Sequence, residues 1–188
     1  MDEIILLDRE LFQFLNSLHS EFFDTVMYWV SYKFTWIPLY GLLIFALIKN
    51  YKKKSLYIIG AIIVLITVTD QGCNLFKHNL KRPRPCQELA NLNPQARTLE
   101  GYHCSKYGFF SAHAANTFAV AVFMTSLLLP FYKKIGWFLY TWAIITSYSR
   151  IYLGVHYPLD VLCGIIFGAL VARIILKGLG AIPTFSRV

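Results

Sequence analysis

The chain has 188 residues, of which 56% are hydrophobic, 16% aromatic and only 15% charged. A soluble domain carries about 25% charged residues, so this balance, with a mean hydropathy of +0.50, excludes an ordinary soluble domain. The net charge of +8 is no mark of nucleic-acid binding, because the basic clusters are short and flank apolar runs.

Residues 1–24 come first and hold six of the ten acidic residues of the chain. They have no basic start and no cleavage-like site, so no removed signal peptide is expected. Ile4, Ile5, Leu7, Leu11, Phe12, Phe14, Leu15 and Leu18 recur at near-helical spacing. That predicts an amphipathic helix at the membrane surface, or a short tilted first span. Five blocks nearly free of charge follow, at 34–48, 55–68, 114–131, 135–146 and 159–176. With their polar edges most approach the roughly 20 residues that a bilayer crossing needs. The expected fold is all-α: a multi-pass transmembrane bundle of five to six helices, with residues 1–188 forming one membrane-embedded domain.

Lys49, Lys52, Lys53 and Lys54 fill one tight connection, Lys133 and Lys134 another, and Lys177 follows the last block. By the positive-inside rule these turns and the C-terminus face the cytoplasm. The acidic N-terminus, the long connection 82–110 and the short one 149–156 then face outward. The long connection also carries Arg82, Arg84, Arg97 and Lys106. A charged pocket explains this exception if those positives are committed to a ligand. Pro83, Pro85, Pro94, Gly101 and Gly108 keep the segment from being one helix, and a loop of that length is usually functional or a lid. Cys86 and Cys104 both lie in it and in an oxidising exterior can pair to close it. Cys73 and Cys163 fall within spans as small apolar fillers.

Three polar clusters meet the outward side. In 77–85, the prolines stop the second span near Arg82. Lys77 then stands at its outer end and Arg84 just beyond, while Lys81 and Arg82 read as a basic flank that snorkels. Asp70, Asn74 and Lys77 share one helix face, and Asp70, deep in an apolar span, should face inward to a partner. In 109–116, Ser111 is placed to cap the next span, with Ala112 and His113 in its first turn. A helix start offers free N–H groups to an anion. In 149–160, Arg150 ends one span and Pro158 sits in the first turn of the next. His156 precedes that helix and Asp160, four residues on, can reach back to its imidazole. Taken singly, the second and third clusters read better as plain helix starts, and the first reads as a basic flank that leaves Asp70 unexplained. Together they gather Lys77, Arg84, Arg150, His113, His156, Asp160 and two helix N-termini on one side. That describes a site for a doubly charged phosphate. No phosphate-cradling Gly-rich loop and no acidic metal cage occurs.

The spacing closely resembles the three-part signature of the type 2 phosphatidic acid phosphatase family: Lys77, six residues, Arg84-Pro85; then Ser111-Ala112-His113; then Ser149-Arg150, five residues, His156, three residues, Asp160. The resemblance covers 77–160. It departs from the family's usual Pro-Ser-Gly-His, having Phe110-Ser111-Ala112-His113 instead. It implies a membrane lipid phosphatase working without metal or cofactor. His156 would attack phosphorus and form a phosphohistidine, with Asp160 holding its ring. His113 would protonate the leaving oxygen and then activate water. Lys77, Arg84, Arg150, Ser111 and the Ala112 N–H would bind the phosphate oxygens. Asp70 lies behind them, either orienting Lys77 or making a buried polar contact between helices, two roles of equal standing. The implied partners are a lipid substrate and the bilayer, with no nucleic acid and no obligate protein partner. The implied place is the bacterial cytoplasmic membrane, with the site facing outward. Among family substrates, undecaprenyl diphosphate is expected first, because the chain carries little extra-membrane structure. Lipid A 1- or 4′-phosphate follows, then phosphatidylglycerol phosphate. A lipid phosphotransferase, or a non-catalytic lipid binder, would share the basic residues.

Overall fold

The computed structural model describes residues 2–88, 97–99, 102 and 104–181. They form seven α-helices: α1 (Asp2–Ser17), α2 (Glu21–Ser31), α3 (Ile37–Tyr51), α4 (Ser55–Leu80), α5 (Ala112–Leu128), α6 (Ile135–Tyr152) and α7 (Pro158–Gly180). The five apolar blocks are α3 to α7. At 1.5 Å per residue, the 26 residues of α4 and 23 of α7 reach about 39 and 35 Å, enough to cross a hydrocarbon layer of about 30 Å. Helix α4 runs well past its apolar block, because Asp70, Asn74 and Lys77 continue its turns. It ends where Lys81 takes the left-handed conformation (φ 47°) and Pro83 and Pro85 remove backbone donors. Large apolar side chains cover the outside: Leu56, Trp137 and Ile174 are 74%, 83% and 69% exposed. Only lipid makes that surface tolerable.

Helix α5 is central, packed on α7, α6 and α4. Its alanines let neighbours approach, and α7 approaches closest. A Cβ on Gly168 would stand 2.1 Å from the Ala115 carbonyl oxygen, and one on Gly164 would stand 2.6 Å from that of Ser111. Backbone therefore meets backbone, as small residues permit between membrane helices. The Ser111 N–H also donates to the Asp160 carbonyl at 3.0 Å. The starts of α5 and α7 are thus fixed side by side.

The N-terminal segment is two helices rather than one. Ser20 restarts the chain by accepting the Phe23 N–H at 3.4 Å, a side-chain cap. Helix α1 packs on α6 and α7. Ile4, Leu7, Leu11, Phe14 and Leu18 are exposed, whereas Asp8, Phe12 and Asn16 are buried. The three buried residues are four apart and so share one face. The amphipathic helix thus turns its apolar stripe away from the protein and docks through a largely polar one. Phe12 meets the Tyr157 ring edge-on at 5.3 Å, and Asn16 Nδ2 donates to the Ile151 and Tyr152 carbonyls.

Gly168→Val should force α5 and α7 apart. The expected cost is about 1–3 kcal/mol or more, read as a lower thermal midpoint of the detergent-solubilised protein, with Gly178→Val, which meets nothing within 4 Å, as the neutral control.

Candidate active site

Ser111 is the N-cap of α5 and its Oγ accepts the Ala114 N–H at 3.5 Å. Ala112 and His113 follow in the first turn, both partly buried. At the other helix start, the turn from α6 is wound about one carbonyl: the N–H groups of Val155 and His156 both donate to the Arg150 oxygen, at 3.1 and 3.2 Å. Of the five residues between Arg150 and His156, Ile151 and Tyr152 still belong to α6, and Leu153, Gly154 and Val155 make the turn. Pro158 opens α7 and Asp160 lies at its third position. The Asp160 Oδ2 accepts the Tyr157 N–H at 3.1 Å, half of a capping box. The same oxygen stands 3.4 Å from His156 Nδ1. Nδ1 has no closer partner among the described residues, a loose contact of the kind that tightens once substrate binds.

Three cations converge on these histidines. Arg84 is buried, its Nε donating to the Tyr107 carbonyl at 2.9 Å and Nη1 to that of Val155 at 3.3 Å. Burial, then the facing charge of Arg150, push its guanidinium down to about 10. Arg150 is buried and its Nη1 donates to Ser31 Oγ and to the Tyr102 hydroxyl. Its Nε has no acceptor among the described residues. Lys77 is half-buried and lies within electrostatic reach of Arg84 and Arg150. His156 is 2% exposed. Burial, then Arg84, Arg150, Lys77 and Arg82, hold its imidazole well below the ordinary 6.5, so it rests neutral. A neutral imidazole, a carboxylate at its back, three cations without a carboxylate partner among the described residues and two helix starts can hold and transfer one phosphoryl group.

Other expectations divide. Asp70 is half-buried and accepts Asn74 Nδ2 at 3.3 Å, a neighbour on its own helix rather than Lys77. Cys86 and Cys104 are bonded, with Cα atoms 6.4 Å apart. The loop positives are not all held for a ligand. Arg97 pairs with Asp24 and Arg82 with Asp8 and Asp160. Lys81 is exposed, as a snorkelling flank should be, but Arg82 is not. Its two carboxylate partners draw it inward, and the pair of acids raises its already high pKa against the opposing effect of burial.

Four contributors carry no sequence signal of their own. Arg82 and Asp8 lie 74 residues apart. Ser31 ends α2 against Arg150, and Tyr102 stacks its ring 5.4 Å from the Arg150 guanidinium. Gly108 does carry a faint one, as a lone glycine three residues before the capping serine. A Cβ there would stand 3.0 Å from Asp160 Oδ2 and from Arg84 Cγ, and 3.4 Å from His156 Nδ1.

A family model described as the PAP2 superfamily matches residues 54–182. A Bacteroides thetaiotaomicron protein named Lipid A 4'-phosphatase is 37% identical over 164 residues, which cover 86% of this chain and 72% of that one. A Sulfolobus acidocaldarius protein named Undecaprenyl-diphosphatase is 29% identical over 166 residues, covering 85% and 72%. The crystal structure of a transmembrane PAP2-type phosphatidylglycerolphosphate phosphatase from Bacillus subtilis matches with a TM-score of 0.77 at 18% identity, over 98% of this chain and 90% of that one. That last likeness concerns the fold.

Gly108→Val should wedge the His156–Asp160 pair. The expected loss is about 100-fold in kcat, the cost of misplacing a reacting group by about 1 Å, with a smaller loss for Gly108→Ala. Steady-state phosphate release, set beside the thermal midpoint, checks it.

Proposed function

The chain belongs to the PAP2 superfamily and is a membrane lipid phosphatase, and from that premise we propose that it removes a phosphate monoester from a glycolipid of the lipid A class. The observation that carries this reading is how the cations are sorted. Arg9, Arg82 and Arg97 are spent on Glu88, Asp8, Asp160 and Asp24. Lys77, Arg84 and Arg150 are left facing His156, enough for the oxygens of one phosphate. The relative named Lipid A 4'-phosphatase supports the same substrate class. Undecaprenyl diphosphate is the second reading, favoured by the relative of that name and by the small outward structure.

In the proposed reaction, His156 Nε2 donates its electron pair to phosphorus as the bond to the leaving oxygen breaks. His113, charged once the phosphate dianion offsets the cations around it, gives that oxygen its proton, and the alcohol departs. The ring of the phosphohistidine keeps its Nδ1 proton against Asp160. Water then loses a proton to His113 and attacks phosphorus, the P–N bond breaks, and its electron pair returns to Nε2. Lys77, Arg84, Arg150 and the N–H groups at the start of α5 carry the charge of the phosphoryl oxygens throughout. Asp70, about two turns below Lys77, acts on that lysine through its field.

The chain alternates direction, so the lysine-rich connections at Lys52–Lys54 and at Lys133 and Lys134 lie at the end opposite the site. By the positive-inside rule that end is cytoplasmic. The site then faces the outer side of the cytoplasmic membrane, with α1 lying in the interface.

Phosphate release from a panel of purified lipid A, undecaprenyl diphosphate and phosphatidylglycerol phosphate tests the substrate. Lipid A should give the highest kcat/KM, and preference for the diphosphate would replace the first reading by the second. His156→Ala should lower kcat by about 10⁴-fold or more in a protein that still inserts and folds. Full activity in that variant would remove the mechanism. His113→Ala should be spared in its first step with p-nitrophenyl phosphate, whose leaving group needs no proton, and should show a burst as phosphoenzyme accumulates. Orthovanadate should inhibit and EDTA should leave the rate unchanged.

A further inference from the structure

Arg82 stands beside the nucleophile but is turned from the phosphate to two carboxylates. Its Nη1 donates to Asp160 Oδ1 at 2.7 Å and its Nη2 to Asp8 Oδ2. The guanidinium lies 4.6 Å over the Tyr157 ring. Asp8 uses its other oxygen to accept the Leu159 N–H at 2.8 Å, in the first turn of α7. Asp160 Oδ2 in turn faces His156 Nδ1. An unbroken line of side chains thus runs from α1 to the nucleophile. Asp8 and Asp160 are 7% and 0% exposed, so the line is shielded from water and its charges are felt strongly. Asp8 also lies outside residues 54–182 that match the family model.

The charges decide what Asp8 adds. Arg82 and Asp160 alone sum to zero, which would blunt the carboxylate behind His156. Asp8 brings the trio to a net charge of −1. When His156 Nε2 bonds to phosphorus, the ring keeps its Nδ1 proton and becomes cationic. A net negative group at Nδ1 then stabilises that ring and fixes its angle. The rigid guanidinium fork sets the direction of both carboxylates.

We infer that Asp8, acting through Arg82 and Asp160, is a positioning residue for His156, so that α1 is a working part of the active site. This rests on His156 being the nucleophile. The groups that face His156 are Lys77 from α4, Arg82 and Arg84 from the connection, His113 from α5, Arg150 from α6 and Asp160 from α7. Protonation of His156 ends its nucleophilicity, so the acid limb of kcat/KM reports on it. Removing the negative charge of Asp8 leaves the cations in excess and moves that limb to lower pH. Removing the positive charge of Arg82 moves it to higher pH. Ionisation of the substrate is common to all variants and cancels between them.

The test uses the full chain in detergent micelles, with p-nitrophenyl phosphate and lipid A as substrates and thermal midpoints as the check on folding. Asp8→Asn should lower kcat about 10-fold and Arg82→Gln about 100-fold, with KM little changed and the acid limbs shifted in opposite directions. The double variant should lose less than the product of the two, because both act along one path. Arg82→Lys should restore the limb and part of kcat. Unchanged kcat, or a loss without opposite shifts, would overturn the inference. If Asp8→Asn or Arg82→Gln fails to fold, Asp8→Glu and Arg82→Lys decide instead: they keep the charges and displace them. Loss of kcat with an unmoved limb is then expected, and unchanged kcat overturns the inference. Wild-type activity that His156→Ala leaves intact would instead count against the mechanism itself.

Discussion

The contact between α5 and α7 is the constraint from which the site follows. Gly164 and Gly168 let the Ser111 and Ala115 carbonyls come within a distance that no side chain would allow. The Ser111 N–H then reaches the Asp160 carbonyl. Two helix starts, each with unsatisfied N–H groups and a partial positive charge, are held together at one edge of the bundle. His113 and His156 are carried there by position alone. Neighbouring helix starts repel and bring no charge of their own to offset it, so the arrangement suits an anion arriving from outside.

The surrounding side chains sort accordingly. Arginines that could have competed for that anion are neutralised in pairs by acids from α1, α2 and α7. Lys77, Arg84 and Arg150, which have no carboxylate partner among the described residues, converge on His156. Burial without a counterion is costly for a guanidinium. Arg84 and Arg150 offset part of that cost with carbonyl and hydroxyl acceptors, which satisfy donors but leave the charge. The stability given up there is the affinity available to phosphate.

Much of this was legible in the sequence, because it is local. Apolar blocks that mostly approach bilayer length with their polar edges marked α3 to α7, and prolines marked the end of α4 and the start of α7. Spacing of four between His156 and Asp160 told that one could face the other. Capping chemistry told that Ser111 began a helix. What was not legible joins distant segments. The pairing of Arg82 with Asp160 spans 78 residues and that with Asp8 spans 74. A flanking arginine looks the same whether it snorkels or turns inward, and only the arrival of α1 decides. The N-terminal segment likewise reads as an amphipathic helix at the membrane surface or a short tilted first span. Its apolar stripe was easy to see, but the periodicity could not say that the protein would take the opposite face. Gly108 had the composition of a loop breaker, while its use is to leave room for the His156–Asp160 pair.

Helix α1 therefore has two solvents. Ile4, Leu7, Leu11 and Phe14 meet whatever surrounds the protein, and Asp8, one turn away, meets the Arg82–Asp160 pair behind His156. Bilayer thickness, lipid packing and detergent shape all press on the first face, and each can change how the second is seated. If Asp8 positions His156, rates in a micelle and in a membrane should differ for a reason apart from substrate access. On that reading the host lipid would tune the enzyme as well as surround it.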